Sequence, residues 1–190
     1  MKNDVFITGT SCYFPNKPVS NEDMEDFLGL ITGKHSRVKP VILKQNGIKQ
    51  RYYALTKEQK ITHTNAEMAV NSILQLLKNS DISNSEIELL SCATSSPDQM
   101  LPSHASMVHG LLKNKPLEIF SASGICLSCL QAFKTAFWGV LSGEKRNAIC
   151  STSELTSATL LSKNYDIEYE KCADLGVQPY MALEKDFLRF

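Results

Sequence analysis

Hydrophobic positions in this chain follow two periods that alternate along the sequence. Short apolar runs bounded by polar or turn-forming residues predict strands at 5–9, 87–94, 117–121 and 148–152. Apolar residues that recur every three or four positions predict helices at 20–31, 64–79, 103–112 and 126–143. Alternating strands and helices are typical of an α/β fold.

Two of these predicted elements lack a polar face. Apart from Glu88, the strand at 87–94 has apolar or small residues on both faces, as is typical of a strand sandwiched between helices. The helix that begins near Cys126 is apolar nearly all round in its first half, which predicts a buried central helix. The chain has 190 residues, a length that predicts one domain over residues 1–190, or at most two small ones.

Charge and composition exclude several classes of protein. Lys and Arg number 20 and Asp and Glu number 20, so the basic excess of a nucleic-acid-binding protein is absent. No apolar run reaches the length of a membrane span. The first four residues lead into a short predicted strand and not into a secretory signal. We therefore expect a cytoplasmic protein with neither a nucleic acid nor a membrane as partner, and with its six cysteines as thiols.

The segment around Cys126 is the strongest candidate for chemistry. A thiol stands there at the point where a strand and a turn lead into a helix. Free amides and the positive end of the helix dipole favour an anion at such a point, and therefore the reactive thiolate. The same amides could stabilise an oxyanion during attack on a thioester. Gly124 would permit the sharp turn and the close approach of a substrate to Gly124 and Ile125.

Other interpretations of this segment stay open. Cys126 could be a buried thiol that packs as a small hydrophobe. Cys126 and Cys129 form a Cys-x-x-Cys pair, which could be a redox pair or half of a zinc site. A zinc site needs two further ligands, and the chain has neither a second such pair nor histidines at ligand spacing, since His104 and His109 are five apart. Phosphate-binding and dinucleotide-binding glycine motifs are also absent, so no metal and no cofactor are predicted.

Six segments in order resemble one family. They are the opening strand and turn at 7–15 (ITGTSCYFP), the helix start at 21–23 (NED), the segment at 47–51 (GIKQR), the single stretch at 93–103 (ATSSP followed by LPS), the segment at 120–133 around Cys126, and the strand at 143–154 that ends in Ser-Glu. In these segments the chain resembles the amino-terminal half of a β-ketoacyl-acyl carrier protein synthase III, a member of the thiolase superfamily.

The resemblance implies a fold and an activity. It implies a thiolase-like half-domain, with a mixed sheet flanked by helices and a central helix that begins at the nucleophile. Cys126 would be the catalytic residue of an acyltransferase that takes an acyl group and condenses it with malonyl-acyl carrier protein, in fatty acid or related lipid or polyketide biosynthesis. The family's catalytic His and Asn lie in its carboxyl-terminal half. We therefore expect residues 1–190 to lack condensing activity alone.

Departures from the family pattern bear on the substrate and on partners. Val41, Gln45 and Ala158 stand where the family carries residues that bind coenzyme A. An acyl group delivered by an acyl carrier protein is therefore expected in preference to a coenzyme A thioester. Leu101 matches the residue that reaches into the neighbour's acyl pocket in family dimers, although it could equally make an ordinary apolar contact. The resemblance implies a homodimer or a companion carboxyl-terminal half.

A second hypothesis keeps the fold and removes the chemistry. The chain could be a non-catalytic partner or scaffold subunit that binds a condensing enzyme. Such a subunit would bind its partner without forming an acyl adduct on Cys126.

Overall fold

A computed structural model describes residues 4–35 and 39–166 of the chain. The described strands are β1 (Val19–Ser20), β2 (Gln50–Arg51), β3 (Leu89–Ala93), β4 (Glu118–Ala122) and β5 (Ile149–Thr152). The described α-helices are α1 (Met24–Leu28), α2 (Lys39–Asn46), α3 (Asn65–Lys78), α4 (His104–Leu112) and α5 (Ile125–Leu141). In these ranges no helix combines the length and the apolar character that crossing a membrane requires.

The chain divides into two compact units. The described residues of the first unit lie in 4–14 and 64–155, and those of the second lie in 15–35, 39–63 and 156–166. The first unit holds strands β3 to β5 and helices α3 to α5, and the second holds β1, β2, α1 and α2. All three strands and all three helices predicted between residues 64 and 152 therefore belong to the first unit.

The first unit is built on a parallel sheet in the order β4-β3-β5. Leu90 of the central strand pairs with Ile119 on one side and Ile149 on the other. All five residues of β3 are buried, which confirms the prediction of a strand covered on both faces. Parallel strands need such cover because their connecting helices pack on the sheet faces.

Helices cover this sheet on both faces. Leu90 and Cys92 lie in one apolar core with buried side chains of α3 and α4. On the other face, Ala93 packs with Ala132 of α5, and the Ser91 hydroxyl donates to the Ala132 carbonyl at 2.8 Å. The alternation of side chains along β3 therefore places α3 and α4 on one face and α5 on the other.

The central helix α5 is buried along one stripe only. Its buried residues are Ser128, Ala132 and Ala136, which recur every four positions. Small side chains on that stripe allow the helix to approach the sheet closely. Large apolar side chains on the rest of the helix are exposed, among them Leu127, Leu130, Phe133 and Trp138. The prediction of a helix buried nearly all round is thus wrong for its large residues, because the sheet covers only one stripe.

The predicted strand at 5–9 is also absent. Residues 4–10 form no strand, and Phe6 and Ile7 are 76% and 72% exposed. Branched and aromatic residues favour extended backbone, but a strand forms only where a neighbour pairs with it. Within the described residues no strand pairs with this segment.

The second unit contains a short antiparallel pair and its own core. Val19 of β1 pairs with Arg51 of β2. Helix α2 was not predicted from the sequence, because Pro40 stands inside it and two branched residues follow. Pro40 is the second residue of α2, where proline is tolerated because the first-turn amides have no acceptor in the helix. The buried core residues of this unit are Val19, Met24, Leu28, Ile42, Tyr53, Leu55, Leu160 and Leu161.

Candidate active site

The turn between β4 and α5 presents Cys126. Gly124 has a φ of 149°, and Ile125 has a φ of 43°. A positive φ is disfavoured for a branched side chain, so the chain enters α5 under local strain. The Ser128 amide donates to the Gly124 carbonyl at 3.2 Å, which is the first hydrogen bond of the helix. The amides of Ile125, Cys126 and Leu127 precede that bond, so they have no acceptor inside α5.

Cys126 is the second residue of α5, and its side chain is exposed. The buried-thiol interpretation of Cys126 is therefore wrong. Ile125 beside it is 74% exposed, and nothing lies within 4 Å of the place where a Cβ on Gly124 would stand. Three predicted site residues, Gly124, Ile125 and Cys126, thus lie together at one open helix start.

Two other cysteines of this unit, Cys92 and Cys150, lie in a different environment. Cys92 on β3 is fully buried, and burial, followed by the nearby Cys150, raises the pKa of its thiol to about 12. Cys150 on β5 is half-buried, and burial, followed by Cys129, raises its pKa to about 11. These thiols stay protonated at neutral pH, and a protonated thiol is a poor nucleophile.

Leu101 lies in the loop between β3 and α4. It is 85% exposed, as is the neighbouring Met100 at 88%. β3 ends at Ala93, which pairs with Ala122 at the end of β4. The loop that carries Leu101 and the turn that carries Cys126 therefore leave neighbouring strands at the same edge of the sheet. That edge, beyond the carboxyl ends of the strands, is where α/β sheets usually bind ligands.

Two carboxylates fix the loop after β3. Glu154 accepts hydrogen bonds from the Ser95 amide at 2.6 Å and the Ser96 hydroxyl at 2.7 Å. Asp98 accepts from the Asn65 and Ala66 amides at 2.7 and 2.9 Å, at the start of α3. The first half of the loop is thereby tied to other elements of the unit. The sequence predicts Glu154 only as the end of a strand. Its hydrogen bonds could not be predicted, because no local pattern indicates which amides a carboxylate will contact.

A buried histidine accompanies these carboxylates. His104 is 3% exposed, and its Nε2 lies 3.1 Å from the Ser153 hydroxyl. Burial lowers the pKa of His104, against the opposing charges of Asp98 and Glu154. The ring is therefore held neutral inside the unit. Among residues 4–35 and 39–166, no three His, Cys, Asp or Glu residues are grouped so that they could hold a metal ion.

The chain is similar in sequence and in structure to known condensing enzymes. No protein-family model matches the chain. β-Ketoacyl-[acyl-carrier-protein] synthase III of Clostridium acetobutylicum is 29% identical over 158 residues, which cover 83% of this chain and 45% of the relative. 3-Oxoacyl-[acyl-carrier-protein] synthase III of Aquifex aeolicus, a solved structure, superposes with a TM-score of 0.64 at 27% identity, over 78% of this chain and 44% of that one. The chain is a relative of β-ketoacyl-acyl carrier protein synthase III.

The relationship to synthase III extends over part of those proteins. The chain spans about half the length of the curated relatives it matches, and it corresponds to their amino-terminal half. A tetronic acid condensing enzyme, AbyA1, superposes with a TM-score of 0.71 at 20% identity and covers 88% of this chain and 48% of its own. Identity that low supports the fold alone. The predicted thiolase-like α/β fold is confirmed.

Proposed function

We propose that this chain supplies the nucleophile of a condensing enzyme of the synthase III type, with Cys126 as the residue that takes the acyl group. The observation that carries the proposal is an exposed thiol at the strained start of α5, in a chain related to that family. Gly124, Ile125 and Leu101 are the proposed contacts of the acyl substrate. No role in acyl transfer is proposed for the other five cysteines.

In the first step the Cys126 thiolate attacks the carbonyl carbon of an acyl thioester. A carbon–sulfur bond forms to Cys126, the bond to the carrier sulfur breaks, and the carrier thiolate leaves and takes up a proton. Negative charge develops on the carbonyl oxygen during the attack. The amides at the start of α5, which lack acceptors in the helix, are the available donors for that oxygen.

In the second step the acyl group would move to a malonyl unit. Loss of carbon dioxide from malonyl-acyl carrier protein leaves an enolate, whose carbon attacks the acyl group on Cys126 and releases the thiol. The family resemblance assigns the support of this step to a His and an Asn of the carboxyl-terminal half. We therefore propose that residues 1–190 carry out acyl loading but need a companion half for condensation.

The exposed side of α5 is the proposed contact for that companion. Ile125, Leu127, Leu130, Phe133 and Trp138 are each at least 47% exposed on one helix. A run of large apolar side chains in water is typical of an unpaired interaction surface. A carboxyl-terminal half or a second copy of the chain would cover it, as the resemblance implies.

Acyl loading tests the proposal without the companion. The full chain is incubated with a short-chain acyl-acyl carrier protein or the matching acyl-coenzyme A, and the adduct is located by intact mass and peptide mapping. One acyl group should appear on Cys126, faster from the carrier protein than from coenzyme A. The C129S variant is the matched control and should keep the adduct, while C126S should lose it.

Two results would overturn the proposal. One is the absence of an adduct with every donor, and the other is an adduct that persists in C126S. If the chain instead binds a condensing enzyme without any adduct, the scaffold hypothesis replaces the catalytic one.

A further inference from the structure

A buried serine lies two residues after Cys126 on helix α5. Ser128 is fully buried, whereas Ile125 and Leu127 before it are exposed. The Ser128 hydroxyl donates to the Ile125 carbonyl at 2.7 Å. The Ser128 amide donates to the Gly124 carbonyl at 3.2 Å. One residue of the buried stripe therefore holds both carbonyls of the turn that presents Cys126.

These two hydrogen bonds set the direction of two amides. A trans peptide unit is planar, so its N–H points away from its C=O and the two turn together. The Gly124 carbonyl shares a peptide unit with the Ile125 amide, and the Ile125 carbonyl shares the next unit with the Cys126 amide. Ser128 therefore fixes two of the three amides that have no acceptor inside α5.

The backbone of Ile125 needs this support. Its φ of 43° is sparsely populated, above all for a branched side chain. Such a conformation persists only where surrounding contacts determine it. The Ser128 amide belongs to the ordinary hydrogen bonds of the helix, but its hydroxyl makes a contact that alanine at this position would not make. The hydroxyl is therefore the side-chain contribution of Ser128 to the geometry of the turn.

Burial makes the contact of Ser128 hard to replace. Ser128 lies on the buried stripe of α5 with Ala132 and Ala136. A hydroxyl that is removed from water needs a partner inside the protein, and the Ile125 carbonyl is that partner. If the hydroxyl is removed, no water can take its place on this side of the helix. The Ile125 carbonyl then loses one donor.

Two other serines donate to carbonyls of α5 at a distance from Cys126. Ser142 bonds to Gly139, three residues before it, at 3.1 Å and is exposed at the far end of the helix. Ser91 is buried on β3 and bonds to the Ala132 carbonyl at 2.8 Å. Neither bond involves the peptide units at the helix start. The first serine is matched to Ser128 in bond type, and the second is matched in burial.

We propose that Ser128 is a positioning residue for the nucleophile, and that it holds the Ile125 and Cys126 amides in the direction that stabilises negative charge at the start of α5. This role rests on the proposed acyl transfer at Cys126. Ser128 itself neither contacts the substrate nor transfers a proton. Its hydrogen bond to the Ile125 carbonyl also polarises that peptide unit, which strengthens the Cys126 amide as a donor.

The pH dependence of Cys126 alkylation tests this role without any acyl transfer. Wild type, S128A, S142A and S91A are treated with limiting iodoacetamide across the range in which thiols titrate, and the label on Cys126 is followed by peptide mass spectrometry. The pH of half-maximal rate should rise by about half a unit in S128A, because the amides that favour the thiolate lose their fixed direction. S142A and S91A should keep the wild-type value.

The rate of acyl loading tests the same residue on the reaction. With an acyl-acyl carrier protein as donor, S128A should load Cys126 about ten-fold more slowly than the wild type, because donors for the oxyanion are misplaced. S91A should load at the wild-type rate although it loses a buried hydrogen bond and with it some stability. Loading rates are compared under conditions in which urea denaturation shows each variant to be folded.

The outcomes separate the role of Ser128 from acyl transfer itself. A wild type that forms no adduct defeats acyl transfer, and the alkylation profile still decides whether Ser128 activates Cys126. If S128A alkylates and loads as the wild type does, the positioning role is overturned while acyl transfer stands. Equal shifts in S128A and S91A would also overturn it, because loss of stability would then explain both.

Hydrogen exchange of the wild type keeps the test decisive if S128A does not fold. The Ser128 amide is bonded to the Gly124 carbonyl, whereas the Leu127 amide has no acceptor in the helix. The Ser128 amide should therefore exchange about ten-fold or more slowly than the Leu127 amide. Equal exchange rates would show that the turn is not held by Ser128 and would overturn the proposal.

Discussion

Two cysteines of the first unit show how differently one fold surrounds the same residue type. Cys92 lies on the central strand between two layers of helices, where burial raises its pKa to about 12. Cys126 lies at the open start of α5, beside amides that have no acceptor in the helix. Burial makes the first thiol a small apolar core residue. Its position at the start of the helix leaves the second one exposed to solvent.

Alkaline unfolding should show the largest consequence of this difference. The folded-state pKa of Cys92 is raised above the unfolded value of 9.0, so its stabilisation is complete below pH 9 and is lost as pH rises toward 12. The free energy of unfolding should fall there by up to about 1.4 kcal/mol per pH unit from this group. Chemical denaturation at pH 8 to 11 measures the slope.

Alanine variants test whether the fall of the free energy of unfolding with pH comes from Cys92. C92A should reduce the alkaline loss of stability, because it removes the buried thiol. C12A is the control, since Cys12 is exposed, and it should leave the slope unchanged. Equal slopes in C92A and the wild type would contradict the buried-thiol account.

A pair of variants tests whether helix α5 is close-packed against the sheet on one side and exposed on the other. Ala132 is fully buried against the sheet, whereas Leu130 is 67% exposed on the same helix. A132L should lower the free energy of unfolding by about 1–3 kcal/mol, because the close-packed interface has no room for the larger side chain. L130A should change it by less than about 0.5 kcal/mol. Similar losses in both variants, measured by urea denaturation, would show that the exposed side is covered.

Two glycine variants measure how much backbone strain the turn before α5 adds to the free energy of the folded chain. Gly124 has a φ of 149° and Gly110 lies inside α4, and an added Cβ would meet nothing within 4 Å at either position. G124A should destabilise by about 1 kcal/mol through backbone strain alone, and G110A should stabilise by about 0.5–1 kcal/mol. Thermal unfolding of both variants measures the difference. A stabilising G124A would remove strain from the account of this turn.

The sequence predicted strands β3 to β5 and helices α3 to α5 well, but it failed for the segment at 5–9 and for helix α2, for physical reasons. Helix α3 and strand β3 carry strong periodic patterns, and Thr64 with Glu67 forms a capping box at the start of α3. Helix α2 was not predicted because Pro40 and the two branched residues after it disfavour a helix interior. The first turn of a helix nevertheless tolerates a proline. The strand at 5–9 failed because propensity cannot supply a pairing partner.

The candidate site divides in the same way. Cys126 could be found from sequence because the change from strand and turn to helix is a local pattern. The hydrogen bonds of Glu154 to Ser95 and Ser96 join residues 58 and 59 positions apart. The hydrogen bond from Arg51 to Asn21 likewise joins residues 30 positions apart. Such long-range arrangements follow from the fold and not from local patterns.

Relative alkylation rates test most directly whether the start of α5 activates Cys126. The native chain is treated with limiting iodoacetamide at neutral pH, and the label on each cysteine is followed by peptide mass spectrometry. Cys12 is the matched comparison, because it is exposed as Cys126 is but lies outside any helix. Cys126 should react about ten-fold or more faster than Cys12, since thiolates at helix starts are favoured, and Cys92 should stay unlabelled. A Cys126 that reacts no faster than Cys12 would contradict the account.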